Sequence, residues 1–428
     1  MRILLCAVGA IVASVLTACG SGSASTVPAS VRLVNTTDTA VFMTLSGEYE
    51  LSNVAANGGV TGYEQITPAV YTVAVSSENG SLESATSQNW PFGTAETYSV
   101  IAYQRGNLIY TYPITDNMVS PGAGFATLDV ANVSPDAGPL DVYLLPSDVN
   151  SPQGYLPNFA SAQGLTTPVT ITAGTYNLVV TGAGNQSDIR LELLNGGVTL
   201  SSDQVANLAL TGTSGGTLVN AFVVTQGGNA VSDPNTQSRV RVLPALPSAP
   251  SSEVLVTVGT TTLAGAYSGL PSQYALVTAG ASATITSVTI AGTAITTPLP
   301  ATALTAGQDY SILVYGDGTA GGTNAVLLAD SNLIIADYAS VRVVNGAATA
   351  AIAPGGVTLF VDGSEPATGV TYGTSSAYTG VTPSSDSDLQ LIGGSYNESV
   401  TGYNLVTGNV YTVFLYDSTQ PPLITQDR

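Results

Sequence analysis

Lysine and histidine are absent from this 428-residue chain, and its eight basic residues are all arginine. Their absence removes the usual general bases, the amine needed for Schiff-base chemistry and the imidazole ligands of zinc. The 28 carboxylates outnumber the arginines and give a formal net charge of −20, which repels phosphate backbones. We therefore predict that the protein is not an enzyme, needs no cofactor and binds no nucleic acid.

Cysteine is scarce, and both copies lie in an N-terminal segment with the pattern of an export signal. Met1-Arg2 precedes an apolar run and then Leu16-Thr17-Ala18-Cys19, which gives a basic start, a short apolar stretch and small residues before a cleavage point. The last four residues resemble a bacterial lipobox, in which the cysteine receives lipid. We predict a lipoprotein signal peptide at 1–18, lipidation of Cys19 and a flexible tether at 19–29. An ordinary signal peptide with a chance cysteine is the alternative.

A cassette of strands recurs four times along the rest of the chain, about 100 residues apart, which is the size of a domain. Its opening strand is mostly aliphatic, with Arg or Asp at the second position. The four copies read Val31-Arg32-Leu33-Val34-Asn35, Leu128-Asp129-Val130-Ala131-Asn132, Val240-Arg241-Val242-Leu243-Pro244 and Val341-Arg342-Val343-Val344-Asn345. We call the four repeats units 1 to 4.

The repeats alternate apolar with polar residues and are punctuated by glycine and proline, a pattern typical of strands in two stacked sheets. We predict an all-β protein of four tandem immunoglobulin-like antiparallel β-sandwich domains. The predicted bounds are 30–120, 125–232, 238–337 and 340–428. The segment 116–124 has linker composition, and the very short spacer between units 3 and 4 predicts a stiffer junction there than at the first two.

Unit 2 carries a motif order typical of a bacterial envelope module. Its Ser134-Pro135-Asp136 turn precedes an Asp141-Val142-Tyr143 strand, and Ala173-Gly174-Thr175-Tyr176 follows. This stretch resembles the opening of the domain of unknown function 4397 family. The resemblance implies a tandem exported β-sandwich protein and brings no catalytic residues. Asn132 and Asp129 stand where that family usually has His and Arg, and the other units lack the clear Ser-Pro-Asp turn.

Two glycine motifs match catalytic or cofactor patterns by letter. Gly316-Asp317-Gly318-Thr319-Ala320-Gly321 follows a strand, but no helix pattern comes after it to bind a pyrophosphate, so we predict a turn between strands. Gly212-Thr213-Ser214-Gly215-Gly216 resembles a nucleophile elbow. Because the chain has no base to take the proton of Ser214, we interpret this serine as a loop residue.

Carboxylates are the one set of side chains left for chemistry. A glycosidase needs two converging acids, and Asp136 with Asp141, or Asp386 with Asp388, are the candidate pairs. The same four residues and Asp362 are candidate calcium ligands, although no consensus calcium loop is present. A carboxylate-dependent polysaccharide-active enzyme and a calcium-stiffened adhesin-like spacer therefore stay open as alternatives, and our prediction assigns no catalytic residue and no metal.

Arginine and aromatic side chains complete the candidate set. Arg32, Arg241 and Arg342 share one strand position, and we expect them on the outward face, paired with a cross-strand acid rather than with an anionic ligand. The repeated tyrosines are expected to pack in cores or on sheet faces. The single tryptophan lies in Asn89-Trp90-Pro91-Phe92, which we interpret as a loop unique to unit 1. Trp90 and Phe92 are the candidate ligand-binding residues, with local packing as the alternative.

The function expected from these features is that of a lipid-anchored cell-envelope protein acting as a non-catalytic binding or structural module. Its partners would be the membrane, through lipid on Cys19, and a glycan or an envelope protein. Gly20, rather than Asp, follows the lipidated residue, and by resemblance to retention signals this favours the outer membrane over the inner membrane.

Overall fold

A computed structural model describes residues 27–85, 87–263, 265–347 and 355–428. The described residues form β-strands, turns and one short 3-10 helix at Pro135–Ala137. The strands make eight sheets, two for each of the four repeats. The prediction of an all-β protein with four sandwich-like units is therefore confirmed.

Unit 1 consists of two sheets that enclose one apolar core. The first sheet has the order β4-β1-β9-β10-β7, with β5 also paired to β1, and the second has the order β3-β2-β6-β8. The strands are β1 Ala29–Asn35, β2 Val41–Leu45, β3 Tyr49–Val54, β4 Gly59–Val60, β5 Glu64–Ile66, β6 Ala69–Ser77, β7 Glu83–Ser84, β8 Gln88–Phe92, β9 Thr97–Arg105 and β10 Leu108–Thr115.

Unit 2 repeats this plan, with sheets of order β14-β11-β18-β19-β20, where β15 also pairs with β11, and β13-β12-β16-β17. The 3-10 helix lies between its first two strands. The strands are β11 Phe125–Asn132, β12 Leu140–Pro146, β13 Phe159–Ala162, β14 Gly164–Leu165, β15 Val169–Thr172, β16 Gly174–Gly182, β17 Asn185–Leu200, β18 Val205–Gly212, β19 Val219–Thr225 and β20 Ala230–Asp233.

Units 3 and 4 follow the same order of pairing. The two sheets of unit 3 have the orders β24-β21-β27-β28 and β23-β22-β25-β26. Unit 4 has one sheet of order β32-β29-β36-β37, in which β33 also pairs with β29, and a second of order β31-β30-β34-β35. Unit 3 has β21 Gln237–Ala245, β22 Val254–Val258, β23 Thr261–Thr262, β24 Ala275–Thr278, β25 Ile285–Ile290, β26 Thr293–Ala294, β27 Asp309–Gly316 and β28 Thr323–Asp330. Unit 4 has β29 Ala339–Asn345, β30 Val357–Val361, β31 Ser364–Val370, β32 Thr374–Ser375, β33 Thr379–Val381, β34 Ser384–Gly393, β35 Tyr396–Leu405, β36 Val410–Leu415 and β37 Leu423–Gln426.

The sheets are not antiparallel throughout, which corrects one part of the prediction. In each unit the first strand pairs in parallel with the strand that opens the closing hairpin: β1 with β9, β11 with β18, β21 with β27 and β29 with β36. Parallel neighbours need a long crossover connection. Here the whole second sheet supplies that connection, so the first strand lies in the middle of its sheet.

A buried asparagine at the end of the first strand explains why this residue recurs in the cassette. The Asn35 amide donates to the carbonyl of Val54, and Asn345 donates to that of Val370. Asn132 donates to Gly138 and Ala162. Each bond reaches the connection or edge strand of the facing sheet, so the amide closes one end of the sandwich and satisfies carbonyls that would otherwise be buried unpaired.

Burial differs sharply between the two sheets of units 1, 3 and 4. Strand β6 alternates between buried and exposed positions, as expected of a sheet with one face in water, whereas nearly every residue of β1 and β29 is buried. A strand buried on both faces must be covered on both sides. The second cover is the matching sheet of a neighbouring unit.

The units consequently pack in two pairs, face to face through the sheets that contain their first strands. Between units 1 and 2 the apolar contact is formed by Val34, Ile101, Ile114, Ala131, Ala209, Phe222 and Val224. Between units 3 and 4 it is formed by Leu243, Ala245, Leu313, Val344 and Phe414. The junction between units 1 and 2 thus has an apolar contact like that between units 3 and 4. The greater stiffness expected at the junction of units 3 and 4 stays a prediction.

Candidate functional site

A network of charged side chains lies at the centre of the interface between units 3 and 4. The Arg241 guanidinium lies 2.6 Å from the Asp427 carboxylate, and the Arg342 guanidinium lies 2.6 Å from that of Asp330. All four side chains are at most 5% exposed. Two arginines face two aspartates, so the buried charges balance, which is the condition for tolerating them away from water.

Hydroxyl and aromatic groups complete this network from both units. Arg241 donates to Thr412 of unit 4, and Arg342 donates to Ser311 of unit 3. The Tyr274 ring lies under Arg241, with 4.7 Å from guanidinium carbon to ring centre. Burial alone would raise the pKa of the Asp427 carboxyl, but the positive charges of Arg241 and Arg342 outweigh burial and hold that pKa below its usual value.

At the equivalent interface between units 1 and 2, only one of the two first strands carries an arginine, because unit 2 has Asp129 at that position. Arg32 lies 3.4 Å from Asp116, donates to Ser99 and reaches across to the carbonyls of Thr225 and Gly228 in unit 2. We expected such arginines on the outward face, paired with acids. They do point away from their own cores and do pair with acids, but neighbouring units cover them, so they are buried rather than exposed.

The interpretation of residues 116–124 as a linker is wrong for the first of them, Asp116. Composition places it among linker residues, yet it follows β10 directly, is 5% exposed and accepts hydrogen bonds from Tyr63 and Ser99. Asp330 at the end of β28 and Asp427 after β37 occupy the same place in units 3 and 4. A carboxylate at the end of the closing hairpin therefore recurs in units 1, 3 and 4, whereas unit 2 has Gln226 at this place.

Asp129 stands in unit 2 where the other units have arginine, and it is 3% exposed in the same interface. Burial raises the pKa of its carboxyl to about 7, and repulsion from Asp116 adds to the effect. Its neighbour is the side-chain amide of Asn207, which donates to the carboxylate when its nitrogen faces Asp129. With the amide oxygen facing it instead, a protonated carboxyl can donate the hydrogen bond.

A polar cleft of about 560 Å³ opens where units 1, 2 and 3 meet. Hydroxyl and amide side chains dominate its walls: Thr36, Thr37, Asn57, Gln104, Asn107, Ser134, Thr211, Thr213, Ser214, Asn220 and Asn235. The Ser134 hydroxyl is buried there without a hydrogen-bond partner. Such a lining is suited to a ligand rich in hydroxyl groups, because it offers many donors and acceptors. Of its three charged residues, Arg105 and Asp136 pair with each other, and Asp38 is the third.

An ion pair fixes one wall of this cleft. Arg105, the last residue of β9, makes two hydrogen bonds to the Asp136 carboxylate, at 2.6 and 2.7 Å. Asp136 also accepts from the backbone N–H of Ile334, in the segment between units 3 and 4. Asp136 is therefore a structural carboxylate that joins three parts of the chain.

The serine motif of unit 2 forms another wall, and its glycines have a structural cause. The Gly215 N–H donates to the carbonyl of Gly307, and a Cβ at Gly215 would lie 2.7 Å from that oxygen. Gly216 has φ +90°, and a Cβ at this position would lie 2.7 Å from the backbone of Asn332. These glycines let the backbones of units 2 and 3 touch. Ser214 lies in an exposed turn, as interpreted from the sequence.

The Gly-x-Gly-x-x-Gly segment is likewise a turn between strands. It connects β27 to β28, and Asp317 accepts hydrogen bonds from the backbone and hydroxyl of Thr319 within it. This agrees with the prediction made from the missing helix pattern.

Trp90 and Phe92 do not lie in a loop, which corrects that part of the prediction. They belong to β8, an edge strand paired with β6. Phe92 is 2% exposed and packs edge-on against Tyr98, with ring centres 5.0 Å apart, so its ring is not available at the surface. Trp90 is partly exposed and packs against the same core. A ligand contact by Trp90 stays a prediction.

The remaining candidate carboxylates accept hydrogen bonds from backbone N–H groups or lie exposed at the surface. Asp141 accepts from the backbone N–H groups of Ser161 and Gly184, and Asp362 accepts from that of Asp388. Asp386 is exposed on β34. No group of three or more acidic or cysteine side chains able to hold a metal is present within the described ranges. The repeated tyrosines fit the packing prediction, since Tyr71, Tyr98, Tyr310, Tyr396 and Tyr411 are all buried.

The residues of the signal peptide prediction, 1–18, together with Cys19 and most of the tether, lie outside the described residues. In the part of the chain that the structure covers, no helix has the length and apolar character needed to cross a membrane.

Sequence reasoning missed the tyrosines of the buried networks. Tyr63, Tyr274 and Tyr378 each precede the short strand that pairs with the first strand of their unit, and each donates to the recurrent carboxylate. The signal was present in the sequence: units 1, 3 and 4 have both this tyrosine and the arginine of the first strand, and unit 2 lacks both. An alignment of the four repeats that included the segment before the short strand would have revealed this correlation.

Comparison with known families gives one match. Residues 29–143 match the family described as Domain of unknown function (DUF4397). The matched region contains all of unit 1 and continues to Tyr143 in β12 of unit 2, the end of the Asp141-Val142-Tyr143 segment. No curated protein matches the chain.

Proposed function

We propose that the protein is a lipid-anchored envelope protein whose four units are copies of one module and act together as a non-catalytic binding module. The observation that carries the proposal is the polar cleft shared by units 1, 2 and 3. Its lining of hydroxyl and amide side chains favours a glycan or another hydroxyl-rich ligand over a nucleotide or a metal. Tandem copies are supported by the shared pairing order of all four units.

The packing of the units supports a binding role for the assembly rather than for separate beads. The cleft exists only because three units are held in fixed positions by the Arg105 ion pair and by the backbone contact between Gly215 and Gly307. Preformed sites lose less entropy on binding than sites assembled by the ligand.

The cleft is tested by screening the chain from residue 20 onward against a glycan panel. The double variant Asn107→Ala with Ser214→Ala removes exposed polar groups that units 1 and 2 contribute to the cleft. Binding that is lost in this variant and kept in Asn324→Ala, an exposed residue on β28 outside the cleft, supports the proposal. Equal binding by the double variant and the control would reject the cleft as the binding site. In the same screen, Trp90→Ala tests whether the tryptophan on β8 contacts the ligand.

The anchor is tested separately by cell fractionation. Cys19→Ser removes the thiol that would carry the lipid, so we expect the protein to move from the membrane fraction to the soluble fraction. Unchanged fractionation would reject the lipid anchor, and fractionation of inner from outer membrane tests the proposed outer-membrane location.

The second candidate function is that of a purely structural spacer, because two buried networks of ion pairs hold neighbouring units together. In that case every glycan and every envelope protein offered would leave the chain unbound, while the units would still unfold as coupled pairs.

A further inference from the structure

A second cleft, of about 570 Å³, lies between units 2, 3 and 4 and differs from the first in charge. Its walls include Arg190 on β17, Arg239 on β21 and Arg428 beyond β37, together with Asp188 and Asp427. Three of the eight basic residues in a chain of net charge −20 thus meet in one place. Below we call this the arginine cleft.

The acids near the arginine cleft do not neutralise it. Asp427 belongs to Arg241, and Arg239 makes two hydrogen bonds to Asp309 at 2.7 and 3.0 Å. Asp188 is bonded to Arg190 and lies 3.9 Å from Arg239. Once these pairs are matched, Arg428 is the one arginine of the cleft whose guanidinium has no carboxylate of the described residues within 4 Å.

Arg428 has only weak partners in the described part of the chain. Its guanidinium donates to the carbonyls of Pro135, at 3.1 Å, and Gly408, at 3.4 Å, and no carboxylate of the described residues lies within 4 Å. Burial is the main cause that lowers the pKa of Arg428 to about 10. Repulsion from Arg190, Arg105 and Arg239 lowers this pKa further, and attraction by Asp136 raises it in part. The group is held among like charges.

Arg190, which also lines the cleft, has one donor without a hydrogen-bond partner. Its side chain is 9% exposed, and its Nε–H is buried without an acceptor. Burial lowers its pKa, and the charge of Arg239 lowers it further. A buried guanidinium with an unfilled donor gains both hydrogen bonding and charge compensation from an incoming anion.

We propose that the arginine cleft is a binding site for a singly charged oxyanion, a carboxylate borne by a small molecule or by an acidic sugar, held by Arg190 and Arg428 with Arg239 behind them. One negative charge matches the one guanidinium of the cleft that has no carboxylate beside it. The planar guanidinium groups bind a carboxylate with paired hydrogen bonds. The polar walls, which include Ser187, Gln273 and Gln426, provide room for the hydroxyl groups of a sugar. This site is separate from the cleft of the proposed function and does not depend on it.

The test measures binding of acetate, glucuronate, inorganic phosphate and neutral glucose to the chain from residue 20 onward, by NMR titration of the arginine Nε–H signals. We expect saturable shifts with acetate and glucuronate, weaker shifts with phosphate, none with glucose, and weaker binding at higher salt because the attraction is electrostatic. Arg428→Gln should weaken glucuronate binding about tenfold, the effect of one charge-assisted hydrogen bond.

A variant of opposite sign separates specific binding from loss of fold. Asp188→Asn removes the acid that competes for Arg190, so it should tighten glucuronate binding severalfold. Glu64→Gln makes the same charge change on β5 of unit 1, which does not line the cleft, and should leave binding unchanged. Glucose binding as tight as glucuronate, equal effects of Asp188→Asn and Glu64→Gln, or no saturable shift with any anion would each overturn the proposal.

Discussion

The interface between units 1 and 2 should weaken as the pH rises, because Asp129 is buried there beside a second carboxylate. Its pKa is about 7, compared with 3.8 for a free aspartate. An acid with a raised pKa binds its proton more tightly in the folded state, so the free energy of unfolding falls as the pH rises from about 4 to about 7 and then levels off. The shift corresponds to about 4 kcal/mol when the group is fully ionised.

The perturbation is Asp129→Asn, which keeps the shape, can still accept one hydrogen bond from Asn207 through its amide oxygen and never ionises. The penalty in the wild-type chain is about 1.7 kcal/mol at pH 5 and about 4 kcal/mol at pH 8 by proton linkage. The stability advantage of the variant should therefore be about 2.5 kcal/mol larger at pH 8 than at pH 5. This difference between two pH values is independent of any constant effect of the amide.

The assay is urea unfolding of the chain from residue 20 onward, followed by tryptophan fluorescence. Trp90 is the single tryptophan and lies in unit 1, so the signal reports unfolding of the unit that contacts Asp129. A stability difference between variant and wild type that is the same at pH 5 and pH 8 would refute the assignment of a buried, late-ionising carboxyl.

Three further predictions concern the contacts between units. Asp427→Asn should lower the stability of the pair of units 3 and 4 by about 3 kcal/mol at pH 7, since it leaves Arg241 buried without its partner. Because the pKa of Asp427 is lowered in the folded state, its contribution to stability is present above about pH 4 and lost in acid. The unfolding free energies of variant and wild type, measured by calorimetry, should therefore converge at low pH. Arg105→Gln should cost a similar amount, about 3 kcal/mol, by stranding Asp136, which is 2% exposed, and wild-type stability in calorimetry would contradict the bridging role. Gly215→Ala should open the contact of units 2 and 3 at a cost of about 1–3 kcal/mol, detected as faster proteolysis between them, whereas Gly62→Ala, which has open space around it, should behave as wild type.

The opening and closing strands of the units could be read from the sequence, because their alternation and recurrence are local properties. Val31 and Leu33 point into the core of unit 1 and Arg32 points away from it, as the period of two requires. What lies over Arg32 is decided by the packing of unit 2, and no periodicity within unit 1 specifies it. The sequence therefore predicted the direction of the arginine side chain correctly and its environment incorrectly.

Site residues were harder to predict for the same reason. Asp116 lies in a stretch of turn-forming residues, and its burial depends on Arg32 and Ser99, which are distant in sequence. Trp90 and Phe92 lie in a short segment with a proline, which favours a loop by composition. The edge of a sheet tolerates that proline because its missing N–H would face away from the neighbouring strand.

Face-to-face pairing also constrains how such an array can lengthen or shorten during evolution. A unit removed alone would leave its former partner with an uncovered apolar sheet and unmatched ionic groups, a surface prone to aggregation. Loss or gain of a complete face-to-face pair at once leaves no apolar sheet uncovered. Arrays of this kind should therefore favour even numbers of repeats.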